Sequence, residues 1–244
     1  MTDEDVTVAL VTGGARGIGL EVCRQLGRRG AIVLLSARHA GRAADASAGL
    51  AAEGMDVRPV VLDVDDEASV RAAAAAVATD PGRLDVLVNN AAGFADWSDT
   101  ASTVDLDAAA GLLRTNLLGA WRTTQALLPL LRASARARVV MVSSGAGSHG
   151  DPHFGLTTAG GAAAAYGVAK AGLNALTAVL AAELADTPIL VNAVCPGLTA
   201  TAPGMEAMGA RPVPVGAASV VWAATLPDDG PSGGLFRDGL PLPW

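Results

Sequence analysis

"VTGGARGIG", residues 11–19, decides the fold. It follows an apolar run, "VTVALVT" (6–12), and opens an amphipathic one, "GIGLEVCRQLGRRG" (17–30). A glycine-rich turn from a strand into a helix N-terminus suits a diphosphate. The glycines let the backbone approach closely, and the first helical amides point at the anion. Gly13, Gly17 and Gly19 are spaced TGxxxGxG, not the wider GxGxxG. A tight turn with no ligand is the plainer alternative.

Working outward, strand and helix alternate. Strands are expected at 31–37, 57–64, 83–90, 137–144 and 188–195, and "GGLFRDG" (233–239) reads as a last edge strand. Helices are expected at about 40–53, 66–79, 105–133, 160–186 and 216–225. Strands separated by helices form right-handed βαβ units and a parallel sheet. The strands are nearly all apolar, as strands covered on both faces should be. No linker, charge block or repeat divides the chain, so residues 1–244 read as one α/β domain with a doubly wound, mostly parallel seven-stranded sheet and helices on both faces.

A formal net charge of −7 disfavours nucleic acid as a partner, because phosphate binding wants a basic surface. The acidic start, "MTDEDVTVAL", lacks a basic n-region and does not read as a signal peptide. No uninterrupted apolar run reaches the 18 or so residues of a membrane span. Cys23 and Cys195 sit in apolar surroundings without metal spacing and read as buried reduced thiols. No metal site is expected, and the location expected is cytoplasmic.

"AAAAYGVAKAG" (162–172) holds the chain's single tyrosine, Tyr166, and its single lysine, Lys170. Residues four apart share one helix face. A phenol with a pKa of about 10 is a poor proton donor or acceptor at neutral pH. A neighbouring ammonium favours the phenolate and lowers that value. The bland alternative is an amphipathic Tyr and a snorkelling Lys on a helix surface.

Over nearly its whole length the chain resembles the short-chain dehydrogenase/reductase family. The resemblance is carried by "TGGARGIG" (12–19), "LDV" (62–64), "NNAAG" (89–93), "TNLLG" (115–119), "VSS" (142–144), "YGVAK" (166–170) and "CPGLTAT" (195–201), in the family's order and spacing. "LLSAR" (34–38), the terminal "PSGGLFRDGLPLPW" (231–244) and added residues between Ser144 and Tyr166 are most similar to the carbonyl-reductase branch. The resemblance implies a Rossmann fold and a catalytic set of Ser144, Tyr166, Lys170 and Asn116. It implies NADPH-dependent reduction of a small ketone or aldehyde by hydride transfer, with Tyr166 as proton donor and Ser144 on the carbonyl oxygen. Lys170 would tune Tyr166 and hold the cofactor ribose, and Asn116 would hold a relay water. Ser143 is the neighbouring alternative to Ser144.

By the same resemblance, Gly13, Ala15, Arg16, Gly17, Ile18 and Gly19 would carry the diphosphate. Asp63 and Val64 would meet the adenine, and Asn89, Asn90, Ala91 and Gly93 the adenosine side. Pro196, Gly197, Leu198 and Thr199 would flank the nicotinamide, with Thr201 near the diphosphate. No acid follows the second strand. Ser36 and Arg38 stand there instead, and Arg38 with Arg16 can hold a 2′-phosphate, so NADP(H) is expected over NAD(H). Residues 145–161, including His149, His153 and Phe154, read either as a loop over the pocket or as a mobile surface loop. Residues 198–215, with Met205 and Met208, read as a lid. Phe94 and Trp97 are candidate pocket aromatics. Alternatives are reduction of a carrier-bound ketoacyl chain, a cyclase or epimerase on the same fold, and a non-catalytic NADP(H)-binding sensor. A homodimer or homotetramer through the helices at 105–133 and 160–186 is expected.

Overall fold

The computed structural model describes residues 6–94 and 97–244. The acidic residues 1–5, part of the start read as not being a signal peptide, lie outside the described residues.

Strands β1 (Val8–Val11), β2 (Ile32–Ala37), β3 (Val57–Val61), β4 (Val86–Asn89), β5 (Arg138–Val142), β6 (Leu190–Val194), β7 (Leu235–Arg237) and β8 (Leu240–Pro241) form one sheet in the order 3-2-1-4-5-6-7-8. All pair in parallel except β8, which runs antiparallel to β7. The expected count of seven is therefore corrected to eight. Asp238 and Gly239 both take positive φ, which closes a two-residue hairpin between β7 and β8. The Asp-Gly pair was a legible hairpin signal. The strand it makes is only two residues long and contains Pro241, which only an edge strand tolerates.

Side chains alternate across the sheet. Ala9, Val11, Val33, Leu35 and Val88 face α1 (Gly17–Gly27), α2 (Ala40–Ala52) and α7 (Val213–Ala224), where Val22, Leu26, Leu50 and Val220 complete one core layer. Val8, Leu10, Leu34, Leu87 and Val139 face the other way, onto Val77 of α3 (Glu67–Thr79), Leu127 and Leu131 of α5 (Ala120–Arg132), and Leu173 and Leu180 of α6 (Ala164–Glu183).

The helix expected at 105–133 is not uniform. α4 (Leu106–Leu113) passes through a π turn (Arg114–Gly119) into α5. Such turns often mark functional positions, and this one carries Asn116. A Cβ on Gly119 would lie 2.8 Å from Val64, so the turn can pack against the end of β3 only with glycine there. The helix expected at 160–186 starts later, at Ala164, because Gly160, Gly161 and Ala163 all take positive φ. α7 starts three residues before the expected 216.

Among the described helices, α6 alone is long and apolar enough to cross a membrane. It also buries Tyr166, Lys170 and Asn174 and packs Leu173 and Leu180 against the sheet, as a core helix does. The strand order reverses between β1 and β4. That opens a crevice at the carboxyl ends of the strands, where sheets of this type bind ligands.

Candidate active site

The glycine turn lies at the mouth of this crevice. Asn90 laces it to the end of β4, its side-chain amide donating to the carbonyls of Thr12 (2.9 Å) and Gly13 (3.2 Å). The Thr12 hydroxyl accepts from the amides of Asn90 (2.9 Å) and Ala91 (3.0 Å). Thr12 is thus a hub that the sequence reading passed over, although it is the T of the quoted motif. A Cβ on Gly19 would sit 2.5 Å from the Gly13 carbonyl oxygen, which forbids any side chain there. Gly17 (φ +55°) faces only Thr201, 3.5 Å from its virtual Cβ, so the turn and Thr201 border one open cleft. Arg16 caps α1 with extended backbone and no side-chain cap bond. Ala15 and Ile18 lean on the core beneath.

Arg16 and Arg38 are exposed, and among the described residues neither has an ion-pair partner. Arg42, which the sequence reading missed, lies exposed on the first turn of α2, four residues beyond Arg38. Among the described residues, the buried Ser36 hydroxyl and Asn89 side-chain carbonyl oxygen have no hydrogen-bond partner. Asn89 spends its amide on Thr124 (3.0 Å) and Met141, bracing the sheet. Asp63 is half-buried, its Oδ1 accepting from the Asp65 amide and its own amide donating to Ser69. Buried Val64 offers its carbonyl to Arg122. The glycine cradle and the two exposed guanidinium groups fit a phosphate-bearing dinucleotide.

Ser144, Tyr166 and Lys170 meet beyond β5. Ser144 follows the strand, accepts the Ala146 amide (3.1 Å) and turns its hydroxyl to the Tyr166 phenol. Ser143 is spoken for. Its hydroxyl donates to Asn174 Oδ1 at 2.5 Å, and Asn174 donates in turn to the Gly147 carbonyl (2.9 Å). Lys170 is 3 % exposed, with Nζ 2.7 Å from the Val142 carbonyl and 5.6 Å from the centre of the Tyr166 ring.

The electrostatics differ from the sequence expectation. Burial pushes the Tyr166 phenol up to about 12, against the pull of the Ser144 hydroxyl. Burial also draws Lys170 down to about 8. The ammonium lies over the ring and is itself desolvated, so burial of the phenol dominates. Lys170 has a stability consequence with a definite sign. Between about pH 8 and its ordinary value the unfolded chain binds the proton that the folded chain has released, so stability rises with pH across that window. Below it the ammonium is charged in both states and its desolvation counts fully against the fold. From pH 8 to pH 10, denaturant melts are expected to show wild type gaining on Lys170→Met by on the order of 1–3 kcal/mol. A constant difference would refute a shifted Lys170.

Asn116, 1 % exposed, uses both ends of its amide on Gly93: Oδ1 accepts from the Gly93 amide (2.7 Å) and Nδ2 donates to the Gly93 carbonyl (3.0 Å). The side chain expected to hold a relay water therefore clamps the loop after β4.

In the turn after β6, Gly197 takes positive φ behind the buried Pro196. The Thr199 hydroxyl donates locally, to the carbonyls of Pro196 (3.2 Å) and Gly197 (3.0 Å), rather than standing free for a carboxamide. Leu198 is half-buried, and its carbonyl accepts from the Arg211 amide (2.8 Å). That bond closes the base of the expected lid, whose outer part is a short 3-10 turn, Met205–Met208.

Residues 145–161 are anchored. Asp151 is buried and paired with Arg237 of β7, and it accepts the amides of His153 (2.9 Å) and Phe154 (3.1 Å). The Arg237 guanidinium also reaches Cys195 Sγ (3.3 Å) and covers the Phe154 ring. Ser148 donates to the Pro243 carbonyl. Nothing local predicted these contacts, because Asp151 and Arg237 are 86 residues apart. Among the described residues no group of His, Cys, Asp and Glu could hold a metal.

Residues 7–210 match the family model described as short chain dehydrogenase. The putative ketoacyl reductase 1 of the granaticin polyketide synthase of Streptomyces violaceoruber is 39 % identical over 198 residues, covering 80 % of this chain and 68 % of that one. Carbonyl reductase [NADPH] 3 of Mus musculus is 34 % identical over 97 % of this chain and 98 % of its own length. The crystal structure of NADPH-bound carbonyl reductase from chicken fatty liver superposes with a TM-score of 0.85 at 27 % identity, covering 98 % of this chain and 99 % of that one.

Proposed function

Because the chain belongs to the short-chain dehydrogenase/reductase family and is an oxidoreductase, we propose that it reduces a small ketone or aldehyde to the alcohol with NADPH. The observation that carries this is the meeting of Ser144, Tyr166 and Lys170 beyond β5, beside a glycine crevice bordered by two free arginines.

A nicotinamide cofactor, when bound, supplies the hydride. Tyr166 delivers the proton to the carbonyl oxygen as general acid; its burial keeps it protonated at neutral pH. Ser144, whose hydroxyl bonds the Tyr166 phenol when no substrate is present, turns that hydrogen to the same oxygen. Lys170 spends one donor on Val142 and keeps others for the ribose hydroxyls. Asn116 acts through Gly93 by fixing the loop above the site. Gly13, Gly17 and Gly19, with Thr201, would hold the diphosphate, Arg16 and Arg38 the 2′-phosphate, and Asp63 and Val64 the adenine. NADP(H) is the preferred cofactor, since no acid at the end of β2 favours free ribose hydroxyls.

Reduction of a carrier-bound ketoacyl chain is the second reading, favoured by the polyketide ketoacyl-reductase relative. The match to carbonyl reductase over nearly both full lengths favours a free carbonyl. Exposed Leu118 of the π turn, Trp121 of α5, and Val168 and Val179 of α6 suit a homodimer through these helices. Two buried free thiols suit a reducing, cytoplasmic location.

The purified protein is expected to oxidise NADPH when given simple aryl or alkyl ketones, read from the loss of reduced-nicotinamide absorbance. NADPH binding without oxidation by any free ketone or carrier-bound ketoacyl substrate would replace the enzyme with a sensor.

A further inference from the structure

The chain holds only eight aromatic residues, three Phe, four Trp and one Tyr. Three of them converge on the site. Phe94 stacks on the Tyr166 ring, with centroids 5.9 Å apart and planes 16° from parallel. Trp97 meets the same ring at 5.5 Å, tilted by 55°. The phenol beneath is 7 % exposed, yet Phe94 and Trp97 remain 60 % and 57 % exposed. Large apolar rings left in water beside a proton donor form a surface that a ligand can cover.

The loop that carries them is held at both ends. Asn116 grips Gly93 on one flank. On the other, the Ala164 amide donates to the Asp99 carbonyl (3.2 Å), tying the loop to the start of α6 two residues before Tyr166. Gly93 and Asp99, the residues flanking the two rings, are thus tied to the elements that carry Asn116 and Tyr166.

We propose that Phe94 and Trp97 are specificity-determining residues, an aromatic wall on Tyr166 that favours a flat aryl ketone over a saturated one of equal size. This rests on Tyr166 being the proton donor. A ketone whose oxygen reaches Tyr166 and Ser144 lays its substituent along these rings. Stacked and edge-to-face ring pairs gain beyond the area they bury, and a puckered alicyclic ring cannot make them. Aliphatic side chains at 94 and 97 would bury a ligand without that discrimination.

The test compares acetophenone with cyclohexyl methyl ketone, which share the acetyl group and ring size and differ in planarity. The readout is the ratio of their kcat/KM values in wild type, Phe94→Leu, Trp97→Leu and Phe94→Tyr, with NADPH affinity measured alongside. Each leucine variant is expected to lower the aryl preference roughly three- to tenfold without changing NADPH affinity. Phe94→Tyr, which keeps the ring, is expected to retain it. A ratio unmoved by both leucine variants overturns the inference alone. Turnover of neither ketone by wild-type protein that binds NADPH overturns this inference; the reductase assignment falls only if every other free ketone and carrier-bound ketoacyl substrate tried fails as well.

Discussion

Replacing Tyr166 by Phe is expected to lower kcat about 10³-fold, inside the range that a positioned general acid contributes, while NADPH still binds. The substitution removes one oxygen and keeps the ring. Phe94 and Trp97 keep their partner, and the wall stays in place. What is lost is a proton held where the carbonyl oxygen must collect it. Burial raises the phenol to about 12, so at neutral pH the donor is loaded in every molecule. The buried Lys170 over the ring then eases the negative charge that develops as the proton leaves. Single-turnover kinetics beside an NADPH titration separate chemistry from binding. Turnover within tenfold of wild type would mean that Ser144 or solvent supplies the proton, and the assignment of Tyr166 would fail.

Arg38→Asp is expected to reverse the choice of cofactor. Hydrogen bonds between charged groups contribute about 1.5–3 kcal/mol each. Loss of the guanidinium plus repulsion by the new carboxylate is therefore expected to weaken NADPH about 10²-fold or more. An acid at the end of the second strand accepts from ribose hydroxyls, so NADH affinity is expected to hold or rise. Arg16 remains exposed at the glycine turn, so Arg16→Ala should add a smaller loss for NADPH alone. Tryptophan-fluorescence titrations with both nucleotides read the ratio. A preference for NADPH that survives both changes would place the 2′-phosphate elsewhere, and Arg42 on the first turn of α2 would be the next position to test.

Much of this was legible in the chain. The glycine turn, the strand–helix alternation and the four-residue spacing of Tyr166 and Lys170 are local patterns, and backbone geometry converts them directly into a cradle and a shared helix face. The extra strand was missed although Asp238-Gly239 signalled its turn, because two residues with a proline show no strand pattern. The π turn at Asn116 was not legible either. Its width is seen only with the Gly93 clamp and the Gly119–Val64 contact in place, and these join segments far apart in sequence.

Residue 166 as a phenol one turn from an ammonium was determined by sequence alone, as were the alternation of strands and helices and the absence of an acid after β2. The tertiary structure decided the state of those groups. A pKa depends on how much water and which charges surround a side chain. Those surroundings come from Phe94 and Trp97, more than sixty residues away, and from the Val142 carbonyl at the end of β5. In the same way, Asp151 and Arg237 turned a stretch that read equally well as a mobile loop into one tied to β7 of the sheet. Local sequence sets which groups are present and how they are spaced, and long-range packing sets how wet, how charged and how free each one is.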